Sequence, residues 1–226
     1  MTGRANGDRG RWRVDLHIHT CYSPDSLTRL EEVIAAAARR SLAALAITDH
    51  DAVDGALALA RIASFPVIVG EEIETGDGEI IGLFLKEFIP PRLGPAETVA
   101  RIRRQGGVVY VPHPFDHHRF PLREPTLQAL ASEVDLVEVL NARVSNAAFN
   151  ARAASFARQH NLPGGAGSDA HSPGEIGRAY VEMEPFTDRD SFMSSIARAT
   201  VGGTVSGFHV HFLSTWAKLI KRRRTP

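Results

Sequence analysis

The chain has 226 residues, 43% of them apolar, enough to bury the core of one large domain. Its 26 basic and 26 acidic residues cancel, so bulk charge draws it neither to nucleic acid nor to a membrane, although five of the basic residues crowd into the last nine positions. Cys21 is the only cysteine, which excludes a disulfide-stapled secreted scaffold, the opening residues lack the apolar stretch of a signal peptide, and no run of about 18 apolar residues offers a membrane span. The expectation is a soluble cytoplasmic protein with no integral membrane segment.

A Gly/Arg-rich leader (residues 1–12) precedes a strand over 13–19, an Ala-rich helix over 30–40 and an apolar strand over 43–48. A helix over 53–62, strands over 66–69 and 79–85, and a helix over 96–104 closed by Gly106 and Gly107 come next. The strand 108–111, a helix around 125–130, the strand 134–139, the helix 146–159 and a short strand at 164–166 complete the regular part. Strand 178–183, helix 188–198 and strand 201–205 follow. In residues 209–226, Phe212, Leu213, Trp216, Leu219 and Ile220 fall on one helical stripe beside the basic cluster, the pattern of an amphipathic helix or tail that docks on the domain. A membrane surface or a nucleic acid are the other partners such a stripe could meet.

Short apolar strands separated by helices predict a parallel α/β sheet, as a barrel or an open doubly wound sheet. His17, His19, Thr48, Asp49, His50, Glu72, His113, Asn141, Asp169 and His171 all follow the C-terminal ends of expected strands. Those ends form the active-site face of α/β barrels, and so many contributing strands favour the barrel.

His17 and His19 are spaced so that both imidazoles lie on one side of a strand, and Asp169 and His171 repeat that spacing with one oxygen and one nitrogen ligand. The pairing suits zinc, manganese or iron. Any one of these histidines alone reads as a hydrogen-bonded structural residue. Gathered at strand ends, so many imidazoles and carboxylates would be costly to desolvate without a cation. Gly165-Ala166-Gly167-Ser168-Asp169-Ala170 formally fits a dinucleotide-binding fingerprint, but it lies late in the chain and contains the Asp-x-His pair.

Five segments then carry a resemblance: Val14-Asp15-Leu16-His17-Ile18-His19-Thr20, Ile47-Thr48-Asp49-His50-Asp51, Gly70-Glu71-Glu72-Ile73, Pro112-His113-Pro114-Phe115 and Gly167-Ser168-Asp169-Ala170-His171. In this order they resemble the motifs of the PHP (polymerase and histidinol phosphatase) family, over a domain placed at residues 13–208. The resemblance implies a distorted (βα)7 TIM-like barrel and a site for two or three divalent ions, zinc, manganese or iron, at the strand C-termini. It implies that His17, His19, Glu72 and Asp169 surround one metal, that Glu72 bridges to a second metal held by His113, and that His50, His171 and Asp25 hold a third. His50, Asp169 and His171 are the expected catalytic residues among these ligands.

The pattern departs from better known members after the bridging glutamate, where they carry a histidine and this chain has Gly78-Glu79-Ile80-Ile81-Gly82. Glu79 either replaces that ligand, favouring manganese or iron, or is a solvated residue at a strand start. Glu71 points away from Glu72 in a strand, and Glu138 and Asn141 suit supporting or substrate contacts. Arg119, Arg143 and Arg178 are candidate phosphate donors, each with a solvent-facing alternative. His117 and His118 could protonate a leaving group or lie free on the surface.

The expected activity is hydrolysis of a phosphoester, in a small phosphorylated molecule or a short oligonucleotide, by metal-activated water. The alternatives are a non-catalytic metal-stabilised module with a protein or nucleic-acid partner and a metal-dependent amidohydrolase.

Overall fold

The computed structural model describes residues 10–206 and 215–221. Nine strands form one sheet in the order β7-β6-β5-β4-β3-β2-β1-β8-β9. In chain order they are β1 (Trp12–Asp15), β2 (Ala44–Ile47), β3 (Val67–Thr75), β4 (Gly78–Leu83), β5 (Val108–Val111), β6 (Leu136–Asn141), β7 (Gly164–Gly167), β8 (Ala179–Met183) and β9 (Thr200–Gly203). Beyond Asp15 the chain returns to the far edge strand: Leu16 N–H donates to the Ala166 carbonyl at 3.1 Å and Asp169 N–H to the His17 carbonyl at 2.7 Å. Strands β1 to β7 therefore close almost fully into a barrel. The antiparallel pair β8 and β9 wedges against the first residues of β1, where Trp12 faces Met183 and Val14 faces Val181.

The period of two sorts the apolar residues. Val14, Ala44, Ala46, Ile81, Leu83, Val108, Tyr110, Leu136 and Ala166, drawn from strands all round the sheet, pack into one cluster that fills the barrel. Their neighbours Leu45, Ile47, Val109, Val111 and Val137 turn outward to the helices. Small residues opposite Tyr110 make room for its ring: a Cβ on Gly165 would come within 2.8 Å of it.

Six helices coat the outside: α1 (Leu30–Arg39), α2 (Asp54–Ile62), α3 (Pro95–Arg104), α4 (Glu124–Ala129), α5 (Ala147–Gln159) and α6 (Arg189–Ile196). Helix α3 starts on Pro95, carries Glu97 in its first turn and three arginines in its last, and buries Thr98, Val99 and Ile102, in accord with the helix dipole and the 3.6-residue period. Asn146 and Asp188 cap α5 and α6 by accepting from the Ala148 and Ser191 amides.

Two expectations change. The sheet is not all parallel, because β4 runs antiparallel to both β3 and β5. The turn Thr75-Gly76-Asp77-Gly78 folds β3 directly back, and Gly78 sits at φ +127°, where a Cβ would meet the Leu122 backbone at 2.3 Å. Glu72 accordingly lies inside β3 rather than beyond its end, and with Glu138 in β6 it puts buried charge within strands.

The second change concerns a short helix, α7, at residues 215–221. Trp216 and Leu219, expected on its docking stripe, are 63% and 49% exposed, while the small Ala217 is buried. A methyl side chain permits the close approach that the large stripe was expected to make. Phe212, Leu213 and the basic residues Arg222, Arg223 and Arg224 lie outside the described residues, as do leader residues 1–9.

Candidate metal centre

The site stands where the barrel strands end. His17 and His19 follow β1, His50 follows β2, His113 follows β5, and Asp169 and His171 follow β7. Asn141 is the last residue of β6. Glu79 comes from the start of β4, and the reversal of that strand brings its first residues to the same rim as the other strands' last ones.

Glu72 is the hub. Its Oε1 lies 3.1 Å from His113 Nε2, and its Oε2 lies 3.2 Å from His17 Nε2, 3.3 Å from His19 Nε2 and 3.2 Å from His50 Nδ1. Asp169 Oδ1 stands 3.5 Å from His19 Nε2. Asp25 Oδ2 joins the outer edge, 3.2 Å from His171 Nε2 and 3.5 Å from His50 Nε2. Glu79 faces inward to His50 Nδ1 at 3.7 Å and His113 Nε2 at 3.8 Å, so it is not a solvated strand-start residue.

Four overlapping groups have ligand atoms mutually within 4.8 Å: His17, His19 and Glu72; His17, His113 and Asp169; His50, Glu72 and Glu79; and His19, Asp25, His50 and His171. The donor set fits divalent cations. Asp169 Oδ1 and His171 Nε2 are buried without a hydrogen bond among the described residues, and His17 Nε2 and His19 Nε2 stand 3.1 Å apart. Bare buried acceptors and facing imidazole nitrogens call for positive charge between them.

Without it, protons must supply that charge. Burial opposes it, yet Glu72, Glu138 and Asp169 raise the His17 imidazole well above its ordinary value. At His50, Glu72 and Asp25 likewise overcome burial and raise the value to about 10. Burial would also raise Asp169, but Arg119 and His17 hold its carboxyl well below the usual range. His171 is pushed down to about 3 by burial and by the neighbouring His19, so its lone pair is available at neutral pH. Burial and the nearby Glu72 charge push Glu79 up to about 7.

A second layer holds these groups. The fully buried Glu138 accepts from His17 Nδ1 at 3.1 Å, the His113 amide at 2.8 Å and Asn141 Nδ2 at 2.9 Å, which aims His17 Nε2 at the centre. Asn141 Nδ2 also donates to Asp169 Oδ2 at 3.1 Å. Asp15 gathers the Ser168 and Gly177 amides at 2.9 and 2.8 Å, tying β1 to the turns after β7 and before β8. His113 and Asp169 adopt left-handed φ values of +27° and +52°, strain that this network sustains. Gly167 is required by close approach, since a Cβ there would stand 2.2 Å from His17 Cβ.

The arginines separate. Arg119 Nη2 donates to Asp169 Oδ2 at 2.6 Å. Arg143 is buried, with Nη1 3.3 Å from Glu175 and 3.5 Å from the Asp169 carbonyl. Arg178 makes no contact with the cluster; its carbonyl accepts from Thr204 N–H beside β9. His117 and His118 are exposed, with His117 packed edge-on against Phe149.

A cleft of about 610 Å³ opens over Asp25, His50 and Glu79 and is lined further by Asp116, His118, Arg119, Phe120, Ser145, Thr215 and Lys218. Sequence reasoning missed Asp116, Phe120, Ser145, Thr215 and Lys218 as residues of this cleft. Phe120 carried a signal as an apolar residue directly after Arg119, and Lys218 as a member of the C-terminal basic cluster.

Fold and site together define an α/β barrel with candidate metal-ligand groups at its strand ends. Residues 15–105 match the PHP domain and residues 147–201 a PHP-associated segment. The uncharacterized protein MJ1587 of Methanocaldococcus jannaschii is 36% identical over 161 residues, spanning 61% of this chain and 90% of that protein. The chain belongs to the PHP family. Among solved structures, a two-domain protein of Bacteroides vulgatus containing a predicted PHP-like metal-dependent phosphoesterase superposes with TM-score 0.69 at 16% identity, over 92% of this chain and 70% of that one. The lesion-specific endonuclease PfuEndoQ of Pyrococcus furiosus gives TM-score 0.65 at 16% identity, over 85% and 58%. At such identity these two share the fold. No helix among the described residues is long and apolar enough to cross a membrane.

Proposed function

We propose that this chain is a metal-dependent hydrolase that cleaves a phosphoester in a small phosphorylated substrate or a short oligonucleotide. The observation that carries the reading is Glu72, one carboxylate whose two oxygens address different histidines at the centre of overlapping ligand groups. Two or three divalent ions held there, zinc, manganese or iron, supply the charge that activates water and neutralises a phosphoryl group during in-line displacement. His17, His19, Glu72 and Asp169 form the buried floor of the ligand set. His113 and Glu79 serve a second position with Glu72, and Asp25, His50 and His171 a third. A carboxylate at Glu79 in place of an imidazole favours manganese or iron there over zinc.

The remaining residues orient the reactants. Arg119 reaches the Asp169 carboxylate from the cleft wall, where its planar fork suits a phosphate. Asn141 fixes Asp169, and Arg143 backs the same turn from within the protein. Arg178 has no part in this scheme.

The test is phosphate release by metal-loaded protein from histidinol phosphate, 3′,5′-bisphosphonucleotides and short oligonucleotides, the last also followed by gel for internal cleavage. Release or cleavage that is lost on chelation and regained on metal addition is expected. Failure across the panel, with the ions bound and the ligands intact, contradicts the reading and favours a non-catalytic metal-stabilised module.

A further inference from the structure

One cation at the cleft comes from a part of the chain that no family segment covers. The matched segments end at residue 201, whereas Lys218 lies on α7, residues 215–221. Lys218 Nζ stands 3.4 Å from Asp25 Oδ2, and the side chain is 54% exposed, so its ammonium reaches from solvent onto a candidate ligand. The helix is held at that place. Ala217 is buried, and Lys221 Nζ donates to the Cys21 carbonyl at 2.6 Å and to the Ser23 carbonyl, gripping the loop that carries Asp25.

Arg119 makes the matching contact with Asp169. Each cation therefore rests on a carboxylate that the ligand groups assign to a divalent ion. With an ion on Asp25, like charge repels the ammonium at this range, and much of the carboxylate's attraction is already satisfied. A lysine stem is long and flexible, and the space beside it is the cleft it already lines together with Thr215 and Arg119.

We propose that Lys218 is a substrate-binding residue, supplied by α7, that receives a phosphate oxyanion at the Asp25 wall of the cleft while Arg119 receives one at the Asp169 wall. This deepens the phosphoesterase reading and rests on it for the identity of the anion. Lysine acts here as a point charge, so it serves affinity for the anion rather than the geometry of displacement.

The experiment measures binding of inorganic phosphate to the metal-loaded full chain by calorimetry, with metal content determined on the same samples. Lys218→Met is expected to weaken phosphate binding about tenfold, the loss of one charge-assisted contact, with metal content unchanged. Lys218→Arg is expected to restore most of that affinity. Where a substrate is turned over, Lys218→Met raises KM by a similar factor and leaves kcat nearly constant.

Equal phosphate affinity in Lys218→Met and the parent protein overturns the proposal. So does a rise in bound metal with phosphate affinity unchanged, which makes Lys218 only a placeholder for the ion on Asp25. A parent protein that hydrolyses nothing, but whose phosphate affinity still depends on Lys218, sinks the phosphoesterase reading while the binding role stands.

Discussion

The floor and the rim of the ligand cluster are built differently. On the floor, His17, His19, Glu72 and Asp169 are nearly inaccessible, and each is tied to a second residue or to the barrel backbone, as when Glu138 aims His17 and Asn141 fixes Asp169. At the rim, the His50 side chain is 20% exposed and that of Glu79 12%, and Asp25 lies on a loop contacted by α7. The floor is overdetermined, so its geometry is set before any ion or substrate arrives. The rim has fewer constraints and borders the cleft, which is where affinity and substrate choice can vary without disturbing the barrel.

The largest expected effect is on the floor. Asp169→Asn removes one of the two carboxylates shared by His17 and His19 and the anion that pairs with Arg119, leaving the two histidines with Glu72 as their only shared carboxylate. Elemental analysis should find the variant depleted of metal, and calorimetry should show that added metal no longer raises its Tm. Full metal content in this variant would erase the distinction between floor and rim.

One layer out, Glu138→Gln keeps the volume but removes the charge and leaves one accepting oxygen, which cannot serve both His17 Nδ1 on one side and the His113 amide and Asn141 on the other, and should weaken metal binding about 10- to 100-fold in chelator competition. Gly167→Ala should act on the same histidine from the backbone side, costing roughly 1–3 kcal/mol by overpacking, read as a lowered Tm. If either change left metal affinity untouched, the second layer would not be what aims the floor.

Proton release should come next in size. In the metal-free protein His50 is raised to about 10 and is therefore protonated at pH 7, whereas the ligand form is neutral. Metal binding must displace that proton, so affinity should rise with pH up to about 10 and fall as pH drops. Glu79, raised to about 7, adds a second proton to displace below that pH. Calorimetry in buffers of different ionisation enthalpy measures the number released. A pH-independent affinity between 6 and 9 is the contrary outcome, the range following from the about 7 and about 10 of these two groups.

The smallest effect belongs to Glu79→Gln, which touches only the rim. It should reduce occupancy of the second position, shared with Glu72 and His113, while the floor retains its ion, seen as a fractional drop in metal per chain. Loss of all metal would show that rim and floor are one cooperative unit.

Much of this site was legible in the sequence because its ligands come in local pairs. His17 with His19 and Asp169 with His171 are two residues apart, at the ends of short apolar runs, and such spacing survives errors of a residue or two in strand limits. Glu79 was ambiguous because its place depends on the direction of β4, which the Gly76-Asp77-Gly78 turn decides and an assumption of parallel strands conceals. Lys218 was legible only as a member of the C-terminal basic cluster, since its partner Asp25 is far away in sequence and it is the packing of Ala217 and the hydrogen bonds of Lys221 that bring α7 to the cleft. Arg178 had the right sequence neighbourhood, but β8 joins the sheet as an antiparallel wedge, and among the described residues the arginine's backbone bonds to Glu175 and Thr204 while its Nε finds no partner.

The central claim is that this cluster holds more than one divalent ion through shared ligands. Its most direct test is metal stoichiometry by elemental mass spectrometry after chelation and reloading, on the parent chain and on Asp169→Asn side by side. More than one ion per chain in the parent, and a loss of most of that metal in the variant, are expected. One ion or fewer in the parent, or equal content in the two proteins, would contradict that claim.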